Sequence, residues 1–108
     1  SHFGHKVNIV LERHRFFSRV QAKDEKVGTY IASLRGLAQT CDFGELEDSL
    51  IRDQLVRCTN NLRVQEKLLT YNPTLKEAVD MARGIEHTVE CMREIKNTPE
   101  VEGVKEIK

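Results

Sequence analysis

The sequence has no tryptophan, two prolines and an aromatic content of 6%. That disfavours sandwiches and barrels, whose strands draw on aromatic and β-branched residues, and it leaves long stretches free of helix breakers. The three cysteines, Cys41, Cys58 and Cys91, are odd in number and far apart. They do not make a disulfide framework, so a reducing compartment is expected, the cytoplasm first and the nucleus second. Apolar runs stop at three residues, as in Ile9-Val10-Leu11, against the roughly 18 that a membrane span needs. The opening Ser1-His2-Phe3-Gly4-His5-Lys6 has no apolar stretch of the signal-peptide kind. Neither sign of charge is in excess, with 17 Lys+Arg against 17 Asp+Glu in 108 residues. Phosphate backbones are bound by a basic excess or stripe, so direct nucleic-acid binding is not expected of this segment, and neither is a membrane.

Chemistry-bearing motifs are missing too. The six glycines are scattered, with no Gly-x-Gly-x-x-Gly or Walker A pattern to cradle a phosphate and no Gly-x-Ser-x-Gly elbow. The Asp-Thr-Gly or Asp-Ser-Gly triplet of a retroviral-type aspartic protease is also lacking. His87 and Cys91 lie four apart on one helical face and would offer two metal ligands, where a zinc site takes three or four. They read as a surface histidine beside a half-buried cysteine. Glu45, Glu47 and Asp48 sit where a helix begins, and the helix dipole accounts for them without catalysis. The expectation is a protein that is not an enzyme, with no cofactor, no metal and no small-molecule substrate.

What is there is helix after helix. Val27, Tyr30, Ile31, Leu34, Leu37, Ala38 and Cys41 recur in steps of three and four and form one stripe. Asp24 stands where its N-cap is wanted, and Asp42-Phe43-Gly44 supplies its stop. A second helix runs from about Glu45 to Arg57, with Leu46, Leu50, Ile51, Leu55 and Cys58 near helical spacing. A third, Leu62 to Thr70, is closed by Tyr71-Asn72-Pro73. Thr74-Leu75-Lys76-Glu77 is a capping box opening the longest helix, whose face is Leu75, Ala78, Val79, Ala82, Ile85, Val89 and Met92, continuing to Lys96. Val7 to Val20 is compatible with an entry helix through Val7, Val10, Leu11, His14 and Phe17. The fold class is therefore all-α, a small bundle of about four to five helices. Residues 7–96 form the domain and 97–108 a flexible tail.

One arrangement is distinctive: Gln21, then Glu25, Val27, Tyr30, Ile31 and Leu34. It resembles the major homology region of retroviral and retrotransposon capsid proteins, and the wider context is similar to gypsy-type LTR retrotransposon Gag. Glu12-Arg13-His14-Arg15-Phe16-Phe17-Ser18-Arg19-Val20-Gln21 resembles that family's Glu-Arg-x-x-Phe-x-Ser-Arg-x-Gln entry, followed by Leu34-Arg35-x-Leu37-Ala38-x-x-Cys41-x-Phe43. Ile51-Arg52-Asp53-x-Leu55-Val56 and Leu75-x-x-Ala78-Val79-x-x-Ala82 resemble the later helices. His2-Phe3-Gly4-His5-Lys6 is similar to the stretch linking the two capsid lobes, so residues 1–6 read as a remnant of that linker.

The resemblance implies the C-terminal lobe of a Gag capsid, which dimerises and joins its neighbours in a shell. Its partner would be a second copy of itself. It also implies that Gln21, Glu25, Tyr30 and Leu34 are structural. Two departures stand out: Ala22 replaces the family's glycine, and Gly28 replaces the retroviral arginine, which leaves Arg19 or Lys26 to supply a cation. Gag-derived modules also persist in host proteins, and the alternative is a domesticated, SCAN-like dimerisation adaptor that forms no shell. In either case the Glu45–Arg57 helix occupies the position of the capsid dimer helix. If Ile51 and Leu55 face the core, Leu46, Leu50 and Gln54 share the other side and would meet a two-fold copy. The competing reading has Leu50 packed under the Leu62–Thr70 helix.

Overall fold

Four of the five described helices start where a side chain or a distant carboxylate takes up a first free N–H group, and the third follows directly on a 3-10 turn. The computed structural model describes residues 8–96. It contains α1 (Ile9–Ser18), α2 (Val27–Ala38), α3 (Glu47–Cys58), α4 (Leu62–Tyr71) and α5 (Leu75–Lys96), with a 3-10 turn, Gly44–Leu46, leading into α3. No strand occurs among the described residues, and the small all-α bundle is the observed fold. The linker reading of residues 1–6 and the tail reading of 97–108 lie outside the described residues, as does Val7.

Asn8 caps α1 by accepting from the Leu11 N–H at 3.0 Å, and Asn61 caps α4 by accepting from Arg63 and Val64. Thr74 and Glu77 close a reciprocal capping box on α5, at 3.0 and 3.2 Å. α2 is different. Asp24 does not cap it: the residue before α2 is Lys26, which makes no side-chain cap. Asp24 is instead an exposed residue of the turn closed by Glu25 N–H on Ala22 O at 3.1 Å. The cap comes from α5, where Glu86 Oε2 accepts from the Val27 N–H at 2.7 Å.

Stops use left-handed backbone. Asp42 and Gly44 have φ of 55° and 63° at the turn after α2. Asn72, at φ 48°, donates its N–H to Leu68 O at 3.2 Å, and the buried Pro73 follows.

The α2 stripe is the centre of the molecule. Val27, Tyr30, Leu34, Ala38 and Cys41 are buried, while Ile31 and Leu37 flank them half-covered. α2 packs against α1, α3 and α5, and α4 closes the far side against α3 and α5. Phe16 from α1, Ile51 and Leu55 from α3, Val64 and Leu68 from α4, and Leu75, Ala78 and Ala82 from α5 complete the core.

Three helices depart from the sequence expectation. α1 buries Phe16 at 0% exposure, not the Val10–Leu11–His14–Phe17 face, where Val10 is 80% exposed. The reason is aromatic packing: the Phe16 ring meets Phe43 edge to face at 5.0 Å, a larger apolar contact than Val10 offers. α5 outruns the bundle, so Leu75, Ala78 and Ala82 are buried while Met92 is 51% exposed. The expected helix start at Glu45 is a 3-10 turn, and α3 proper opens at Glu47.

Leu34 is fully buried at the middle of α2. Leu34→Ala is expected to lower unfolding free energy by about 2–5 kcal/mol in urea titration, as a cavity mutation. A loss below about half a kcal/mol would contradict its central place.

Candidate self-association surface and the polar network behind it

Between α1 and α2 the chain crosses the core without regular structure, and its backbone groups need partners from elsewhere. Gln21, 6% exposed, supplies several. Its Nε2 donates to Glu25 O at 2.7 Å, and its Oε1 accepts from Thr59 Oγ1 at 3.0 Å and the Asn60 N–H at 3.2 Å. Its own N–H donates to Cys58 O at 3.1 Å, which ties the segment to the end of α3. Asn60 Nδ2 donates to Ala22 O at 2.6 Å.

Glu25 and Arg19 lock the same segment from the other side. Arg19 grips the carboxylate with both terminal nitrogens, at 3.0 and 2.5 Å, while Glu25 Oε1 also accepts from the Ala22 N–H at 3.0 Å. Arg19 Nε reaches Ser33 Oγ on α2 at 3.0 Å, and its guanidinium lies over the Tyr30 ring. Tyr30 Oη donates back to Arg19 O at 2.7 Å. The Arg19 hydrogen bonds, followed by the Ala22 N–H, hold the Glu25 carboxyl below the usual carboxylate range. Burial pushes the Tyr30 hydroxyl well above the ordinary phenol value, so it stays a neutral donor. Among the described residues, no buried side-chain nitrogen or oxygen lacks a partner.

The structure thus brings Gln21, Glu25 and Tyr30 into one network, while Leu34 sits beside them in the apolar core. Of Arg19 and Lys26, it is Arg19 that pairs with Glu25. Lys26 instead pairs with Glu90. At Gly28 a Cβ would stand 2.9 Å from Arg83 Nη2.

Gln54 requires a correction. It was expected on the outer face of the second helix, yet it is 1% exposed. Its Nε2 donates to Phe17 O at 3.1 Å and Arg19 O at 3.0 Å, and its Oε1 accepts from Arg57 at 3.1 Å. The spacing carried the signal: position 54 is three residues from Ile51 and four from Cys58, on the buried stripe of α3. Its polar side chain disguised that placement. Thr59 and Asn60, just past the end of α3, are both partners of the Gln21–Glu25 turn.

Leu46 and Leu50 have different settings. Leu46 is 61% exposed in the 3-10 turn, and Leu50 is half-buried against the core. Phe17, 38% exposed, and Val20, 54% exposed, lie on the neighbouring surface. The Phe17 ring is 5.9 Å from Phe43, and the Leu46 N–H bonds Phe43 O at 3.2 Å. Phe17 and Leu46 are thus each next to Phe43. Gln54 fastens the end of α1 to the middle of α3, one turn beyond Leu50. Phe17 and Leu46, each beside Phe43, make up with the exposed Val20 and the half-buried Leu50 the candidate apolar strip.

Among the described residues, one histidine and one cysteine stand close together. His87 Nε2 and Cys91 Sγ are 3.6 Å apart on the exposed side of α5, and no group of three or more His, Cys, Asp or Glu is placed to hold a metal ion. Among the described residues, no helix is long and apolar enough to cross a membrane. No family model, no curated protein and no solved structure matches the chain.

Glu25→Gln keeps the side-chain size and removes the charge. It is expected to lower stability by about 1–3 kcal/mol at neutral pH, because Arg19 loses its bidentate partner. The native carboxyl titrates below its unfolded value, so this stabilisation is complete above the unfolded value and disappears as pH falls through the folded one. The gap between native and variant should be flat near neutrality and should narrow below about pH 4. Urea titrations across pH test this, and a gap that widens in acid would contradict it.

Proposed function

We propose that the chain is the C-terminal lobe of a Gag-type capsid protein, from a gypsy-type LTR retrotransposon or a host protein descended from one. It acts by binding copies of itself, first as a dimer and then within a shell. The observation that carries this reading is the network of Arg19, Gln21 and Glu25. The residues that resemble the major homology region hold a turn-to-helix entry together, each with its polar groups engaged in that tie. Such a role is architectural.

The apolar strip of Phe17, Val20, Leu46 and Leu50 supports the same reading, since exposed apolar side chains that adjoin mark interaction surfaces more often than scattered ones do. In a two-fold contact each side chain of the strip is used twice. Gln54 lies beneath the contact and shapes it, holding the end of α1 to α3. The assembly takes place in a reducing compartment, the cytoplasm, without cofactor, substrate, membrane or direct nucleic-acid contact by this segment.

Leu46→Asp is the direct test, because Leu46 is mostly exposed and its loss leaves the core intact. Light scattering across concentration is expected to show a native dimer and a variant whose dimer is weaker by at least roughly tenfold, about 1.4 kcal/mol. A native chain that stays monomeric, or a variant dimer as tight as the native one, would refute this surface. A tight closed dimer with no larger assembly from a longer protein would favour the SCAN-like adaptor instead.

A further inference from the structure

A trough runs between α4 and the second half of α5, away from the strip just described. Its floor is Met81, Ile85, Val89 and Met92, in steps of four, four and three along α5. At about 1.5 Å per residue the floor extends roughly 17 Å, three helical turns. Three adjoining depressions of about 340, 380 and 310 Å³, each bordered by Arg63, make up its length. Its basic residues are Arg63 and Lys67 on the α4 rim and Arg93 and Lys96 at the far end of the α5 rim. None of these four forms an ion pair with another described residue.

The sequence alone hides this segregation, because α5 carries both signs of charge. Its acidic residues near the bundle are committed elsewhere. Glu77 serves the capping box, Asp80 pairs with Lys76, Glu86 caps α2, and Glu90 pairs with Lys26. Glu66, at one end, is the single acid among the lining residues. A surface that is aliphatic along its floor and cationic on the α4 rim and at the far end of the α5 rim is complementary to one that is aliphatic along a stripe and anionic on its flanks.

We propose that this trough docks an acidic amphipathic helix from a protein partner. Its apolar side chains, at helical spacing, would meet Met81 through Met92, and its Asp and Glu residues would reach Arg63 and Lys67 on one side and Arg93 and Lys96 on the other. Methionines suit such a floor, since the unbranched thioether adapts to the shape placed on it. A nucleic-acid strand fits less well, because single-strand grooves stack bases on aromatic side chains and this floor is aliphatic, with Tyr71 at one end only. A second copy of this chain fits less well too, because the acids of α3 are already paired, Glu47 and Asp48 with Arg35 and Asp53 with Arg52. The proposal does not depend on self-association.

The probe is a fluorescein-labelled peptide of about 16 residues, roughly four helical turns, with leucines at the spacing of the floor and glutamates elsewhere. A scrambled peptide of identical composition is the control. Anisotropy titration of the whole chain is expected to show saturable binding that is roughly tenfold weaker for the scrambled peptide. It should weaken by a similar factor for Arg63→Glu/Lys67→Glu, whose side chains are exposed, and independently for Met92→Asp. Leu46→Asp should leave it unchanged. Equal binding of the scrambled peptide, insensitivity to both variants, or displacement by a single-stranded oligonucleotide at lower concentration than by unlabelled peptide would overturn the proposal. So would loss of self-association, and not of peptide binding, in Arg63→Glu/Lys67→Glu, which would assign the trough to a second copy.

Discussion

The bidentate grip of Arg19 on Glu25 is the constraint on which the rest of this small bundle rests. The eight residues from Arg19 to Lys26 join two helices without regular hydrogen bonding, and an irregular segment beside the core is tolerated only when each buried polar group has a partner. Arg19 and Glu25 fix the two ends of that segment to one another. Once they are set, Gln21 faces Thr59 and Asn60, Tyr30 turns its hydroxyl to the backbone of Arg19, and Gln54 reaches the same carbonyl from below. Three helices are joined through groups that no apolar contact positions.

The network also separates two jobs that a small protein must divide. Its centre is dry and apolar, built on α2, and supplies cohesion. The polar layer between α1 and α3 supplies orientation, because hydrogen bonds are directional where apolar contact is not. That layer sets the angle at which Phe17 and Leu46 stand together on the surface. The ends of two different elements are only as well placed as the tie between them, and here the tie is Gln54.

Much of this was legible in the sequence. The stripe from Val27 to Cys41, the capping box at Thr74 and the stop at Asn72 are local signals, encoded within a few residues of where they act. What escaped was non-local. Asp24 looked like the cap of α2 because it lies near in sequence, whereas Glu86 lies near in space. Phe17 looked buried because it continued the stripe of Val10 and His14, yet Phe43, across a loop, gave Phe16 the better contact. Gln54 looked like a surface residue because it is polar, and a polar side chain is at home in a core when it alone can satisfy two carbonyls. The resemblance of Gln21 and Glu25 to a known motif drew attention to the right turn, and the guanidinium found at Arg19 stands before that turn in the sequence, not after it.

The cap that Glu86 places on Val27 spans 59 positions of sequence. A helix whose first turn is completed by so distant a residue is unfinished until nearly the whole domain has been synthesised and α5 has docked. The central helix then gains its last hydrogen bond late, together with tertiary structure and not before it. Long-range closure of this kind raises contact order and slows folding, but it makes the bundle close as a single cooperative unit. A fragment that ends before α5 would carry the apolar stripe of the core without the carboxylate that caps its helix.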